Sequence, residues 1–249
     1  YMLFLNLSGG GTFPSGSTSD STVKVILDYK NEYYVMHMSD AHRAQGGYVE
    51  THTLRKVSTI LEISNIIGPE ILIETGDNQY NVINHPERED SYYHGLAAQG
   101  ILGVHDTVAA TFMCAGNHDD PSNTYDGTPD DTANFFNTYY GLHIFNFTYG
   151  NGRYIIHNNG WGSGSDTSTQ ALDSKNWLNS VGWGNLVVGA AHAKETSMHA
   201  LDDQVNLDIA LNGHNHYVAS SNPMPVNGKN IDYVADSIRD LGNFEFNLF

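Results

Sequence analysis

Two imidazoles stand one residue apart in "LNGHNHYV", residues 211–218, just after the apolar run "LDIA". In an extended segment, side chains at i and i+2 point the same way, roughly 6–7 Å apart. Both rings could then reach into one site, and imidazole there serves as metal ligand or proton carrier. A lone pair of this kind carries little weight. Four other apolar runs end in similar chemistry. "YYVMHM" runs into Asp40 and His42, and "EILIET" into Gly76 and Asp77. "ATFMCA" leads to Gly116-Asn117-His118-Asp119, and "NLVVGAA" to His192.

Open α/β sheets bind ligands at the carboxyl ends of their strands. Five such ends converging would gather Asp40, His42, Asp77, Asn117, His192, His214 and His216 around one point. The donors are imidazole nitrogens and carboxylate or amide oxygens, without sulfur, a set suited to Mn, Fe or Zn. Seven ligands exceed the needs of one ion. Two divalent or mixed-valence ions about 3.5–4 Å apart, sharing a carboxylate, would use them all. Read singly, each residue has an ordinary explanation: Asp40 and Asp77 as turn formers, His192 as a hydrogen-bonded core histidine. Only the joint pattern points to a metal centre.

The order and wording of these motifs closely resemble the calcineurin-like metallophosphoesterases, whose pattern is D-x-H, GD, GNH[DE], an isolated His, then GHxH. Every element is present, and the resemblance spans about residues 33–218. It implies a four-layer αββα sandwich, two mixed sheets flanked by helices. It assigns Asp40, His42 and His216 to one ion and Asn117, His192 and His214 to the other, with Asp77 bridging. A hydroxide held between the ions would attack phosphorus in line while His118 protonates the leaving oxygen. Asp119 would orient the His118 imidazole. Asn117 is also a candidate substrate contact. Arg43, directly after the first motif, is another, set against an ordinary solvent-facing arginine.

Other readings remain beside this one. Gly76-Asp77-Asn78-Gln79-Tyr80 also fits the GDxxY of purple acid phosphatases, where the tyrosine binds ferric iron. Those enzymes lack the histidine of D-x-H, so His42 argues for Tyr80 as a packing residue. A non-catalytic metal-binding scaffold, or a dinuclear hydrolase of a non-phosphorus bond, would use the same ligands.

Composition narrows the partners. A net charge of −17 with 11 Lys and Arg repels nucleic acid and anionic membranes, so an anionic small-molecule phosphoester needs local positive charge. The single Cys114 precludes an intramolecular disulfide and a cysteine zinc cluster. No apolar run is long enough to span a membrane. Sparse charge with abundant Asn, Ser, Thr, Tyr and Gly leans towards an extracytoplasmic or secreted protein, with a cytoplasmic one the alternative. Oligomeric state has no signature.

The elements that must position the ligands alternate. Residues 1–22 read as a tail and Gly/Ser/Thr-rich linker, and 23–249 as one domain. Helical spacing from Thr51 to Ile67 ends at Gly68-Pro69. Further helices are expected at 92–102, from Thr128 to Gly141, near 174–180 and before "LDIAL". A hairpin over 143–159 should turn at Asn151-Gly152. The segments "VKVIL", at residues 23–27, and the carboxyl tail read as more strands.

Overall fold

The computed structural model describes residues 30, 32–42, 50–78, 92, 94–119, 142, 144–158, 167–193, 198–214, 232–234 and 247–248. The expected tail, the strand at 23–27 and the helix from Thr128 fall outside them.

Two mixed sheets form the centre of the molecule. In the first, β1 (Val35–Met38) pairs in parallel with β2 (Ile71–Glu74) and β2 with β3 (Ala110–Met113). In the second, β4 (Phe145–Tyr149) and β5 (Gly152–Ile156) form the hairpin, followed in parallel by β6 (Leu186–Ala190), β7 (Ile209–Asn212) and β8 (Asp232–Val234). Strand β9 (Asn247–Leu248) returns to the first sheet antiparallel to β1, giving the order β3-β2-β1-β9 beside β4-β5-β6-β7-β8.

Alternation along each strand sorts side chains between layers. Val35, Ile71 and Ile73 face inward and join Tyr154, Ile156, Val188, Ala190 and Leu211 of the second sheet in one core. Met36, Met38 and Leu72 face outward, where helix α1 (Glu50–Ile67) covers them with Leu54, Val57, Ile60 and Leu61. Those four positions recur at helical spacing, and each buried side chain contributes roughly 1.5–3 kcal/mol before entropy. On the far side, α2 (Thr167–Val181) and α3 (His199–Val205) cover Ile155, Val187 and Ala210. Gly189 of β6 allows that approach, since a Cβ there would lie 2.8 Å from a Leu207 methyl. The sequence of layers is helix, sheet, sheet, helix, as the resemblance implied. Strands covered on both faces explain the unbroken apolar runs in the sequence.

Two local expectations shift. The segment at 92–102 is helical at Tyr92 and His94, then closes into a 3₁₀ turn at Ala97–Gln99 with Gly100 left-handed at φ 65°. A Leu96–Ile101 bridge brackets that turn, so no continuous helix runs to Leu102. The hairpin turns one residue early: Tyr149 pairs with Gly152, leaving Gly150-Asn151 as the loop. Gly150 takes φ 52°, which a two-residue hairpin turn requires and glycine adopts without a Cβ penalty. Among the described residues, no helix is long and apolar enough to cross a membrane.

Candidate metal centre

The loops that follow β1, β2, β3, β6 and β7 meet at one edge of the two sheets. Backbone pairing continues past the strands and fixes them. Asp40 and His42 donate N–H to the carbonyls of Gly76 (3.0 Å) and Asp77 (2.8 Å). In the second sheet, Gly213 N–H reaches the His192 carbonyl at 2.9 Å. Two further bonds cross between sheets. His214 N–H donates to Asp40 Oδ2 at 2.9 Å, and the Nδ1 of His192 lies 2.7 Å from the Thr75 carbonyl.

A carbonyl can only accept, so Nδ1 of His192 carries the proton and Nε2 turns towards the centre. There it meets Asp77 Oδ2 at 3.1 Å, Asn117 Oδ1 at 3.0 Å and His214 Nδ1 at 3.2 Å. His214 Nδ1 is also 3.1 Å from Asn117 Oδ1. Across Asp77, His42 Nε2 lies 3.3 Å from Asp77 Oδ2 and 3.3 Å from Asp40 Oδ1. Asp77 is thus the member common to two groups, one with His192 and His214, the other with His42 and His118.

This donor set fits cations. Ligand atoms bound at about 2.0–2.2 Å stand roughly 3.0–3.4 Å from one another, which is the spacing seen. Asp40, His42, Asp77 and His192 are buried, so their lone pairs face one another away from water and repel unless positive charge lies between them. A proton takes that part in the metal-free protein. Burial alone would lower the His192 pKa, but the charge and hydrogen bond of Asp77, with Asp40 and the Thr75 carbonyl, push it up to about 10. Burial likewise pushes the Asp77 carboxyl up, and His192 and His42 beside it hold it below its ordinary value.

The backbone is strained where these ligands sit. Five described residues other than glycine have positive φ, and four are Asp40 (57°), His42 (44°), Asp77 (55°) and His214 (68°). Each costs on the order of 1–3 kcal/mol and persists only where the surroundings demand it. The fifth, Asn206, closes the end of α3.

Close glycines make the loops possible. A Cβ on Gly76 would lie 2.7 Å from the Gly116 nitrogen. One on Gly116 would overlap Asp77, and one on Gly213 would overlap Ser39 and Asp40. Asn117, His118 and Asp119 form a 3₁₀ turn. There the His118 N–H donates to Asp77 Oδ1 at 2.8 Å. The half-buried His118 ring stands 4.9 Å from the His42 ring, and burial lowers its pKa. Asp119 is fully buried, and its Oδ2 accepts N–H bonds from Gly116 (2.8 Å) and Asp77 (3.0 Å).

Six of the seven ligands read from the sequence are therefore together: Asp40, His42, Asp77, Asn117, His192 and His214. His216, Arg43 and Tyr80 lie outside the described residues. Thr75 escaped the sequence reading although it fixes the His192 tautomer. No side-chain pattern announces a main-chain acceptor. Its hydroxyl also lies 2.9 Å from Nε2 of buried His37, whose pKa burial lowers to about 3. Cys114 is a buried free thiol whose pKa burial raises, which leaves it unreactive.

Known proteins show the same arrangement of elements. A purple acid phosphatase from yellow lupin (Lupinus luteus) seeds superposes with a TM-score of 0.54 at 18% identity, over 81% of this chain and 43% of that one. A dimetal phosphatase from Danio rerio gives 0.54 at 10% identity, over 87% of this chain and 91% of its own. The chain spans less than half the length of the lupin protein. No curated protein matches it in sequence. The sequence profile of the calcineurin-like phosphoesterases matches residues 33–218, from the residues leading into β1 to just past the two imidazoles. With that match over most of its length, and the ligand-bearing loops gathered at one sheet edge, the chain belongs to the calcineurin-like phosphoesterase family.

Proposed function

We propose that the protein is a dinuclear metal-dependent phosphoesterase acting on small-molecule phosphoesters. One observation supports this above the others. Asp77 Oδ2 sits between His42 Nε2 and His192 Nε2, at 3.3 and 3.1 Å, so one carboxylate oxygen serves two ligand groups. In this reading Asp40, His42 and His216 hold one ion, and Asn117, His192 and His214 hold the other. Two transition-metal ions, Mn, Fe or Zn, would polarise the phosphoryl group and lower the pKa of a coordinated water. Two carboxylates against two dications would leave the local charge positive, which would hold a phosphate despite the chain's net charge of −17.

The remaining steps belong to the chain itself. Asp77 and Asp40 hold the imidazoles in register, and Asn117 would contact the phosphoryl oxygens; Arg43 is a second candidate, set against an ordinary solvent-facing arginine. His118 is half-buried, its ring 4.9 Å from that of His42 and its backbone tied to Asp77. It delivers a proton to the departing oxygen, and general acid catalysis of this kind contributes roughly 10²–10⁴-fold.

Metal analysis of the purified protein, run beside hydrolysis of paired phosphomonoester and phosphodiester substrates, tests the reading. Two ions per chain and ester cleavage abolished by chelation support it. Two ions without cleavage of any phosphoester would make the protein a scaffold. Cleavage confined to carboxylic or amide substrates would place it among other dinuclear hydrolases.

A further inference from the structure

We infer that Asp119 is a positioning residue that fixes how Asp77 is shared between the two halves of the centre. Its consequence for turnover rests on the proposed phosphoesterase activity; its geometry does not. The sequence reading gave Asp119 a different task, orienting the His118 imidazole.

The loops after β2 and β3 touch backbone to backbone. A Cβ on Gly76 would lie 2.7 Å from the Gly116 nitrogen, so no side chain separates them. The N–H groups of Gly116 and Asp77 are both taken by one atom, Asp119 Oδ2, at 2.8 and 3.0 Å. Bonds from backbone N–H to a buried carboxylate are charge-assisted and stronger than neutral ones. The return bond runs the other way: His118 N–H donates to Asp77 Oδ1 at 2.8 Å.

Three hydrogen bonds thus close a ring through both loops, and the ring determines which oxygen of Asp77 does what. Oδ1 is engaged by His118. Oδ2 is left facing His42 Nε2 at 3.3 Å and His192 Nε2 at 3.1 Å. The backbone of Asp77 is left-handed, at φ 55°, a conformation uncommon outside glycine that Asp adopts more readily than most residues but still at some cost. The carboxylate of Asp119 meets the N–H that this conformation presents. Without that acceptor, Asp77 can relax, and both ligand groups lose their common oxygen together.

Asp119→Ala and Asp119→Asn, made in the full chain, test this with three readouts. In metal-stripped protein, Asp119→Ala should speed amide exchange at Gly116 and Asp77 by about tenfold. Titration with Mn²⁺ should show affinity weakened by roughly 10–100-fold, as for other outer partners of metal ligands, with both ions lost together. Rates on nitrophenyl and alkyl phosphoesters should fall in the same proportion. Asp119→Asn keeps an oxygen able to accept both bonds, so it should recover the exchange protection and most of the Mn²⁺ affinity.

Wild-type Mn²⁺ affinity with protected amides in Asp119→Ala overturns the inference. So does an Asp119→Asn protein that keeps both ions but loses rate on alkyl esters alone, the signature of a ring-orienting role. That second test stands even if the alanine variant does not fold. Should the wild-type chain cleave no phosphoester, the exchange and Mn²⁺ results still decide the role of Asp119, and only the proposed activity falls.

Discussion

Gly116→Ala separates a fault in the metal centre from a fault in the fold. Gly116 has no positive φ, so alanine is compatible with its backbone. Where space allows, such a change stabilises a protein by about 0.4–1 kcal/mol. Space does not allow it here. The new methyl would overlap the Asp77 nitrogen and Oδ1 and lie 3.0 Å from the Asp77 Cα. Relief requires a movement of about 1 Å, and a displacement of that size at a reacting centre costs on the order of 100-fold in rate. Overpacking itself costs roughly 1–3 kcal/mol. Gly189→Ala is the matched control, because its methyl meets Leu207 and Leu201 in the outer core, away from the ligands. Both variants should melt lower, by roughly 2–4 °C for each kcal/mol lost. Only Gly116→Ala should lose metal stoichiometry and turnover per folded molecule, measured by elemental analysis and phosphoester hydrolysis on the same preparation. Two ions and wild-type rate in Gly116→Ala would refute the placement of Asp77 in the centre. Equal functional losses in both variants would refute the argument that the Gly116 clash acts locally.

Asp77→Asn should reduce the content of both ions at once, by more than the roughly 10–100-fold in affinity that outer partners carry, as metal analysis after dialysis will show. His118→Ala should keep both ions and lose about 10²–10⁴-fold on alkyl phosphoesters, but far less on nitrophenyl esters, whose leaving group needs no proton. Loss of metal in that variant would instead make the His118 ring a ligand. Protein loaded with iron and oxidised should show no visible ferric–phenolate band, since His42 Nε2 already stands 3.3 Å from both Asp40 Oδ1 and Asp77 Oδ2. A band abolished by Tyr80→Phe would overturn that. Acid should destabilise the fold through His157, which is buried beside Ser174 with its pKa lowered from 6.5 to about 4. Between those values the unfolded chain binds the extra proton, so stability is complete above pH 6.5 and falls as pH drops towards 4. That gap is worth about 3 kcal/mol, and urea midpoints should show a flatter loss over this window in His157→Gln.

Much of the centre was legible because strand ends and ligand types coincide. Each of "YYVMHM", "EILIET", "ATFMCA", "NLVVGAA" and "LDIAL" contains a buried or half-buried strand whose next few residues must leave the sheet, and the polar residues there had few other places to go. Helix α1 was readable from the spacing of Leu54, Val57, Ile60 and Leu61 and from Gly68, which is left-handed at φ 67°. What stayed hidden depends on contacts between distant segments. Nothing in the residue type of Thr75 says that its carbonyl will meet an imidazole 117 residues later. The bond from Asp77 N–H to Asp119 Oδ2 links residues 42 apart and needs the close approach of Gly76 and Gly116 across two strands. The segment after Tyr92 has apolar residues at helical spacing. It nonetheless ends in a 3₁₀ turn, because Leu96 N–H bonds the Ile101 carbonyl at 2.8 Å and so closes the chain back on itself.

The candidate ligands come from both sheets: Asp40, His42, Asp77 and Asn117 from loops of the first, His192 and His214 from loops of the second. Two cations there would act as rivets through the seam between the layers. The inward core along that seam is largely apolar, and its packing has less directional constraint than a set of metal–ligand bonds would impose. A chelator would then be a mechanical reagent as well as an inhibitor, because removing the ions would leave the two halves tied at this edge by hydrogen bonds such as His214 N–H to Asp40 and His192 to the Thr75 carbonyl. At an ion concentration 100 times the dissociation constant, each such rivet adds about 2.7 kcal/mol to the folded state. The melting temperature of this chain should therefore track the supply of metal around it.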